Sequence, residues 1–162
     1  MQLDSRLEFV TPSGGLGFAL GAAAAGSTTL FPNAIPISNI RNLGVGEPLY
    51  VVVTADTDCI SSVGSATVTF DLITDDNGAL SSPTIVMSSP AFTVTLLTTT
   101  TALKARTKLW QARLPDFPRV GSELFLGMQF RVATNPLVAG GYIKAALTPA
   151  PSAWQAYADA VN

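Results

Sequence analysis

Histidine is absent from the 162-residue chain, and cysteine occurs once, as Cys59. Without histidine the chain lacks the commonest general base and the commonest metal ligand of proteins. A single cysteine cannot form an intrachain disulfide, so the chain lacks the disulfide framework of small secreted domains. We expect Cys59 to be a small buried hydrophobic side chain, and we expect the protein to be made in a reducing cytoplasm.

Charged side chains are also scarce. Lys, Arg, Asp and Glu make up 12% of the chain, which is about half their usual share in a globular protein. Such a surface has little electrostatic repulsion to keep it apart from other surfaces. A poorly soluble domain would fit this composition, but a surface largely covered by partners fits it better. The net charge of −2 gives no basic surplus, so we expect no binding to nucleic acid.

The few charges are unevenly distributed along the chain. Residues 1–103 carry two basic and eight acidic side chains, whereas residues 104–162 carry seven basic and three acidic ones. The densest basic run lies within Leu103–Val120 and includes Arg106 and Arg113. Two interpretations stay open for this run: a solvated edge, or a contact with an acidic neighbour that would be weakened by salt.

The first 48 residues contain little that predicts regular structure. Their Gly- and Ala-rich run, SGGLGFALGAAAAGSTT, is too short and too rich in glycine for a membrane span, and no Lys follows it as a phosphate-binding loop requires. It is also too apolar for ordinary disorder. We expect residues 1–48 to form an extended arm that lies on a partner or on the rest of the chain. Phe18–Ala25 also allows a short isolated helix.

Residues 49–148 have the pattern of a β-sandwich core. From Ala66 to Leu72 apolar residues alternate with Thr and Asp, as in a half-buried strand, and Asp75-Asp76-Asn77-Gly78 then predicts a turn. Further short strands are predicted at Leu49–Thr54, Thr84–Met87, Phe92–Leu96, Leu109–Leu114, Leu124–Val132 and Tyr142–Leu147. Short strands in this number, without intervening helices, indicate an all-β antiparallel sandwich or barrel, and we interpret them as a sandwich.

The tail, residues 149–162, changes character. Pro149 ends the last strand, and the S-x-x-Q sequence that starts at Ser152 has the form of a helix capping box. Trp154 and Tyr157 then share one face of the predicted C-terminal helix. Because so short a helix is marginal alone, we expect its aromatic face to dock on the sandwich or on a neighbour.

The carboxylates offer little chemistry. Asp71, Asp75 and Asp76 form the densest group, but their spacing does not match a calcium-binding loop, and a turn explains them better. Asp56 and Asp58 are close enough in sequence to pair as glycosidase acids, but nothing places them in a cleft. We therefore expect no catalytic residue, no bound metal and no cofactor, and we predict that the protein is not an enzyme.

Three stretches resemble a family of capsid cement proteins, or decoration proteins, of short-tailed double-stranded DNA phages. They are GEPLYVVVT from Gly46, ATVTFDLITDDNGALSSPT from Ala66 and LTPAPSAWQAYADA from Leu147. The resemblance extends from Ile35 to the end of the chain and is weakest over Leu103–Val120. It implies a jelly-roll sandwich on the outer capsid surface of the virion. There it would tie neighbouring major capsid proteins together as a homo-oligomer, with a dimer favoured over a trimer.

The sequence thus supports two functions of different classes. The first is a capsid cement protein, and the second is a β-sandwich ligand-binding module such as a carbohydrate-binding tail or a receptor domain. Binding modules expose aromatic side chains on loops or on one face, whereas the two Trp residues fall in a strand and in the tail, which favours the first function. The residues expected in a partner interface are Phe18, Phe31, Arg106, Arg113, Trp154 and Tyr157.

Overall fold

The computed structural model describes residues 7–10, 17–37, 48–115, 124–138 and 140–149, and this part of the chain is all-β. Its strands are β1 (Phe18–Ala19), β2 (Thr28–Leu30), β3 (Ile35–Pro36), β4 (Tyr50–Ala55), β5 (Ala66–Asp75), β6 (Thr84–Ser88), β7 (Phe92–Val94), β8 (Thr107–Arg113), β9 (Phe125–Ala133) and β10 (Tyr142–Thr148). The helix expected in the tail falls on residues 150–162, which lie outside the described residues.

The strands form two antiparallel sheets. One sheet has the order β1-β10-β4-β8. The other has the order β2-β9-β5-β6, with β3 also paired to β9 and β7 also paired to β5. Side chains from both sheets enter one continuous hydrophobic core. The predicted class, all-β with antiparallel sheets in a sandwich-like arrangement, is confirmed.

Strand β5, whose alternation the sequence predicts, is an inner strand of the six-stranded sheet. It pairs with β9 from Thr67 to Asp75 on one side and with β6 and β7 on the other. The apolar residues of its alternation, Ala66, Val68, Phe70 and Leu72, are all 0% exposed. The predicted turn follows it: the Asn77 side-chain carbonyl accepts from the Ala79 N–H at 2.9 Å, as an Asn-initiated turn requires.

The segment expected to be an arm contributes to both sheets. Strand β1 pairs with β10, and β2 and β3 pair with β9. The Phe31 ring is 2% exposed and lies between sheets, with its centroid 5.2 Å from that of Phe18 and 6.1 Å from that of Phe130. Of the two placements expected for the arm, the described residues thus lie on the chain's own sandwich, and the core does not begin at Leu49.

The prediction of a short isolated helix at Phe18–Ala25 is wrong, because Phe18 and Ala19 form β1. Gly17 explains why the glycine-rich run can join a sheet. A Cβ atom built on Gly17 would overlap the Ile143 carbonyl oxygen of β10, so only glycine lets the backbone approach this closely. Strands of two or three residues are also too short to produce a visible alternation of apolar and polar residues.

One charged side chain is fully buried on the outer face of the six-stranded sheet. Asp71 is 0% exposed, although the alternation of β5 assigns it to the side away from the core. Its carboxylate accepts two hydrogen bonds from Arg131, at 2.6 and 2.9 Å. It also accepts from Ser88 at 2.6 Å and from Gln129 at 3.0 Å.

The register of the sheet assembles this Asp71 network. Gln129 on β9 and Ser88 on β6 lie directly opposite Asp71, and Arg131 follows Gln129 by two residues on the same face. Burial alone would raise the pKa of Asp71, but the hydrogen bonds and charge of its neighbours hold the pKa below its ordinary value of 3.8. The folded protein therefore favours the ionised carboxylate.

The Asp71→Asn variant tests the contribution of this carboxylate to stability. We expect a loss of about 2 kcal/mol in the free energy of unfolding at neutral pH, because charge-assisted hydrogen bonds are lost. In the wild type this stabilisation is full above pH 3.8, the ordinary pKa, and disappears as the pH falls through the lower folded-state pKa. Urea unfolding across this pH range measures it. Equal stability of variant and wild type at pH 7 would contradict the assignment.

Candidate interaction surface

Four connections meet at one end of the sandwich, which we call the loop end: residues 20–27, 56–65, 95–106 and 134–138. Backbone N–H to carbonyl hydrogen bonds of 3.0 Å join them, from Leu137 to Ala23, Ser62 to Pro136, Ser61 to Thr95 and Cys59 to Leu103. These bonds fix the connections relative to one another, so side chains at the loop end are presented on an ordered frame.

The loop end exposes large apolar side chains. Val63 is 64% exposed, Leu96 is 49% exposed and Leu97 is 62% exposed. Val63 lies in the connection after β4, and the two leucines lie in the adjoining connection after β7. Because the two connections are hydrogen-bonded to each other, all three side chains are exposed at the same end of the molecule, where a partner could cover them.

Leu97 begins a turn that continues into the threonine run Thr98–Thr101. The Leu97 carbonyl oxygen accepts from the backbone N–H groups of Thr100 and Thr101 at 3.2 and 3.1 Å. It also accepts from the Thr95 hydroxyl at 3.1 Å, and that hydroxyl lies 2.7 Å from the Thr100 hydroxyl. Because the turn satisfies its own polar groups, the leucine side chain can point away from it without leaving the backbone unpaired.

Sequence reasoning missed these three residues. The predicted strand Phe92–Leu96 included Leu96, whereas β7 ends at Val94. The threonine run gave no signal for them, because β-branched residues favour extended backbone, whereas this run forms a turn.

The structure places the predicted interface residues in three different settings. Phe18 and Phe31 pack within the sandwich, and Phe31 has almost no surface left for a partner. Arg106, in the connection before β8, and Arg113, at the end of β8, are both exposed. Trp154 and Tyr157 lie outside the described residues.

Cys59 anchors the loop end from inside. It is 1% exposed, its carbonyl oxygen accepts from the Thr101 hydroxyl at 2.7 Å, and burial raises the pKa of its thiol to about 11. A Cβ atom on Gly141 would lie 2.6 Å from the Cys59 Cβ atom, so a larger residue would displace the cysteine. The expectation of a buried, hydrophobic cysteine is confirmed.

The described residues contain no group of three or more Cys, Asp or Glu side chains arranged to hold a metal ion. Where the chain is described, no helix has the length and apolar character that crossing a membrane requires.

Thiol labelling tests the packing of Cys59. We expect native protein to resist a disulfide reagent at pH 8 and to react fully once unfolded in guanidinium, because a thiol with a pKa of about 11 forms little thiolate at that pH. A Cys59→Ala, Ser62→Cys variant, with its cysteine exposed on the same connection, should react at once in the native state. Rapid labelling of native wild type would contradict the burial.

Comparisons with known proteins come from one family model and a search of curated proteins. The search of the curated proteins finds no match to the chain. The model of the Bbp16 family, which is phage-associated, matches residues 17–146. This match starts immediately before β1 and ends within β10, so it covers β1 to β9 and the first five residues of β10. The chain belongs to the Bbp16 family.

Proposed function

We propose that the protein is a structural component of a phage virion, a cement or decoration protein that binds the outside of the head and ties neighbouring major capsid proteins together. The observation that carries the proposal is the loop end, which presents Val63, Leu96 and Leu97 to solvent on a hydrogen-bonded frame. Membership of a phage-associated family supports it. The protein is made in the host cytoplasm before it joins the capsid.

The proposed fold within this class is a jelly roll. If β2 and β3 are counted as one strand, and β6 and β7 as another, the sheets have the orders 1-8-3-6 and 2-7-4-5. These are the orders that two interleaved Greek keys produce in an eight-stranded jelly roll, an architecture common among viral capsid proteins. In this arrangement alternate connections fall at the same end, as the four connections of the loop end do.

Burial of apolar surface supplies the affinity in this proposal. A fully buried Leu or Val side chain contributes about 1.5–3 kcal/mol relative to an exposed one. A few such side chains make only a weak site, but a capsid repeats the site many times. A homo-oligomer, with a dimer favoured over a trimer, would engage more than one site at once and so raise its effective affinity.

The experiment is co-sedimentation of the purified protein with phage heads from which the cement has been removed. We expect wild type to co-sediment, and we expect Leu97→Asp to weaken binding by tenfold or more, because a fully buried leucine contributes about 2 kcal/mol and a buried aspartate is penalised further.

The matched control is Ile85→Asp, because Ile85 is 47% exposed but lies on β6, away from the loop end. It should bind like wild type. Failure of wild type to bind heads would refute the cement role and leave the ligand-binding module as the better hypothesis. Equal losses in both variants would refute the loop end as the contact surface.

A further inference from the structure

In the part of the chain that the structure describes, strand β8 forms an open edge of the four-stranded sheet. Among the described strands its only neighbour is β4. The Leu114 N–H donates to the Leu49 carbonyl at 2.8 Å, so alternate residues of β8 direct their backbone polar groups toward β4. The N–H and carbonyl groups of Gln111 and Arg113 therefore point away from β4, toward the open edge. Such groups can pair with an added strand.

This edge is basic. Lys104, Arg106 and Arg113 are exposed on β8 or on the connection that leads into it. Within the described residues the ion pairs join other cations, Arg131 with Asp71 and Lys144 with Asp56. The Asp58 carboxylate contacts this connection through a backbone group, since it accepts from the Ala105 N–H at 2.6 Å. With respect to the described residues, the edge thus offers backbone groups that have no neighbouring strand, together with positive charge.

Arg106 has a backbone conformation that arginine rarely adopts. Its φ angle is +61°, in the left-handed region that Gly and Asn tolerate best. Its N–H donates to the Ala55 carbonyl at 2.7 Å, which fixes the residue at the entry to β8. An Asn at this position would satisfy the backbone with less strain, so folding alone does not account for the arginine.

We propose that the open edge of β8 binds an extended acidic segment of a partner protein, which adds to the sheet as a further strand. Backbone hydrogen bonds at Gln111 and Arg113 would hold the segment, and Arg106 and Arg113 would pair with its carboxylates. This is strand addition with charge complementarity. An extended peptide fits the edge better than a nucleic acid does, because nucleic acid cannot continue the pattern of backbone hydrogen bonds.

A simpler role for the same charges is protection of the edge. Charged side chains on an edge strand discourage two copies from pairing edge to edge. The two roles predict different behaviour when the charge is removed. If the charges protect the edge, the wild type should not bind an acidic peptide, and variants without the charges should self-associate. If the charges bind a partner, variants without them should lose affinity for the peptide and keep the oligomeric state of the wild type.

The test uses the full-length protein and an alternating Glu–Val peptide of about ten residues, with Ser–Val and Lys–Val peptides as controls. Of the three peptides, we expect only the Glu–Val peptide to bind, and we expect its affinity to fall as the salt concentration is raised. Amide hydrogen exchange should slow at Gln111 and Arg113. Each of Arg106→Asn and Arg113→Gln should weaken binding by roughly threefold, while Arg113→Lys should retain it.

Stability separates binding from folding in this test. Arg106→Asn should leave the thermal midpoint unchanged or higher, because the strain at φ +61° is relieved.

Equal binding of the Glu–Val and Ser–Val peptides, or no slowing of exchange on β8, would overturn the proposal. Tighter binding of a single-stranded DNA oligomer that depends on the same arginines would overturn it in favour of a nucleic-acid site. Self-association of the neutral variants without peptide binding by wild type would assign the charges to edge protection.

Discussion

The pairing of β5 with β9 is the interaction on which the rest of the fold depends. The two strands stay in register from Thr67 opposite Ala133 to Asp75 opposite Phe125. Every other strand of the six-stranded sheet is attached to one of them. Phe70 and Phe130 face each other on the core side of this ladder, while Asp71 and its partners close the outer side. The same ladder therefore supplies both two fully buried aromatic rings of the core and the buried charge of Asp71.

Much of this fold is predictable from sequence, because long strands that are half-buried leave a readable alternation. Strand β5 and the turn after it follow from such a pattern. Strands β1 to β3 could not be predicted, since two or three residues show no period and their glycines and prolines indicate irregular structure. What holds them is non-local: the Ile143 carbonyl beside Gly17 and the Phe130 ring beside Phe31.

The candidate surface was less predictable than the fold. Exposure of Leu97 depends on a turn closed by threonine hydroxyls, and no pattern distinguishes such a leucine from one in a core strand. Burial of Asp71 depends on which residues face it across two neighbouring strands. The basic run at Arg106 and Arg113 was visible in the sequence, but its position on an open edge required the strand order.

One connection, residues 95–106, joins the two surfaces, because Leu97 lies near its start and Arg106 lies at its end, directly before β8. A sandwich that fills its own core with its leading segment can then offer an apolar end and a basic edge to different parts of an assembly.

The most direct test places a photo-crosslinking amino acid at position 97 of protein bound to phage heads. The account predicts a crosslink to the major capsid protein. Bound protein that gives no such crosslink from this position would contradict it.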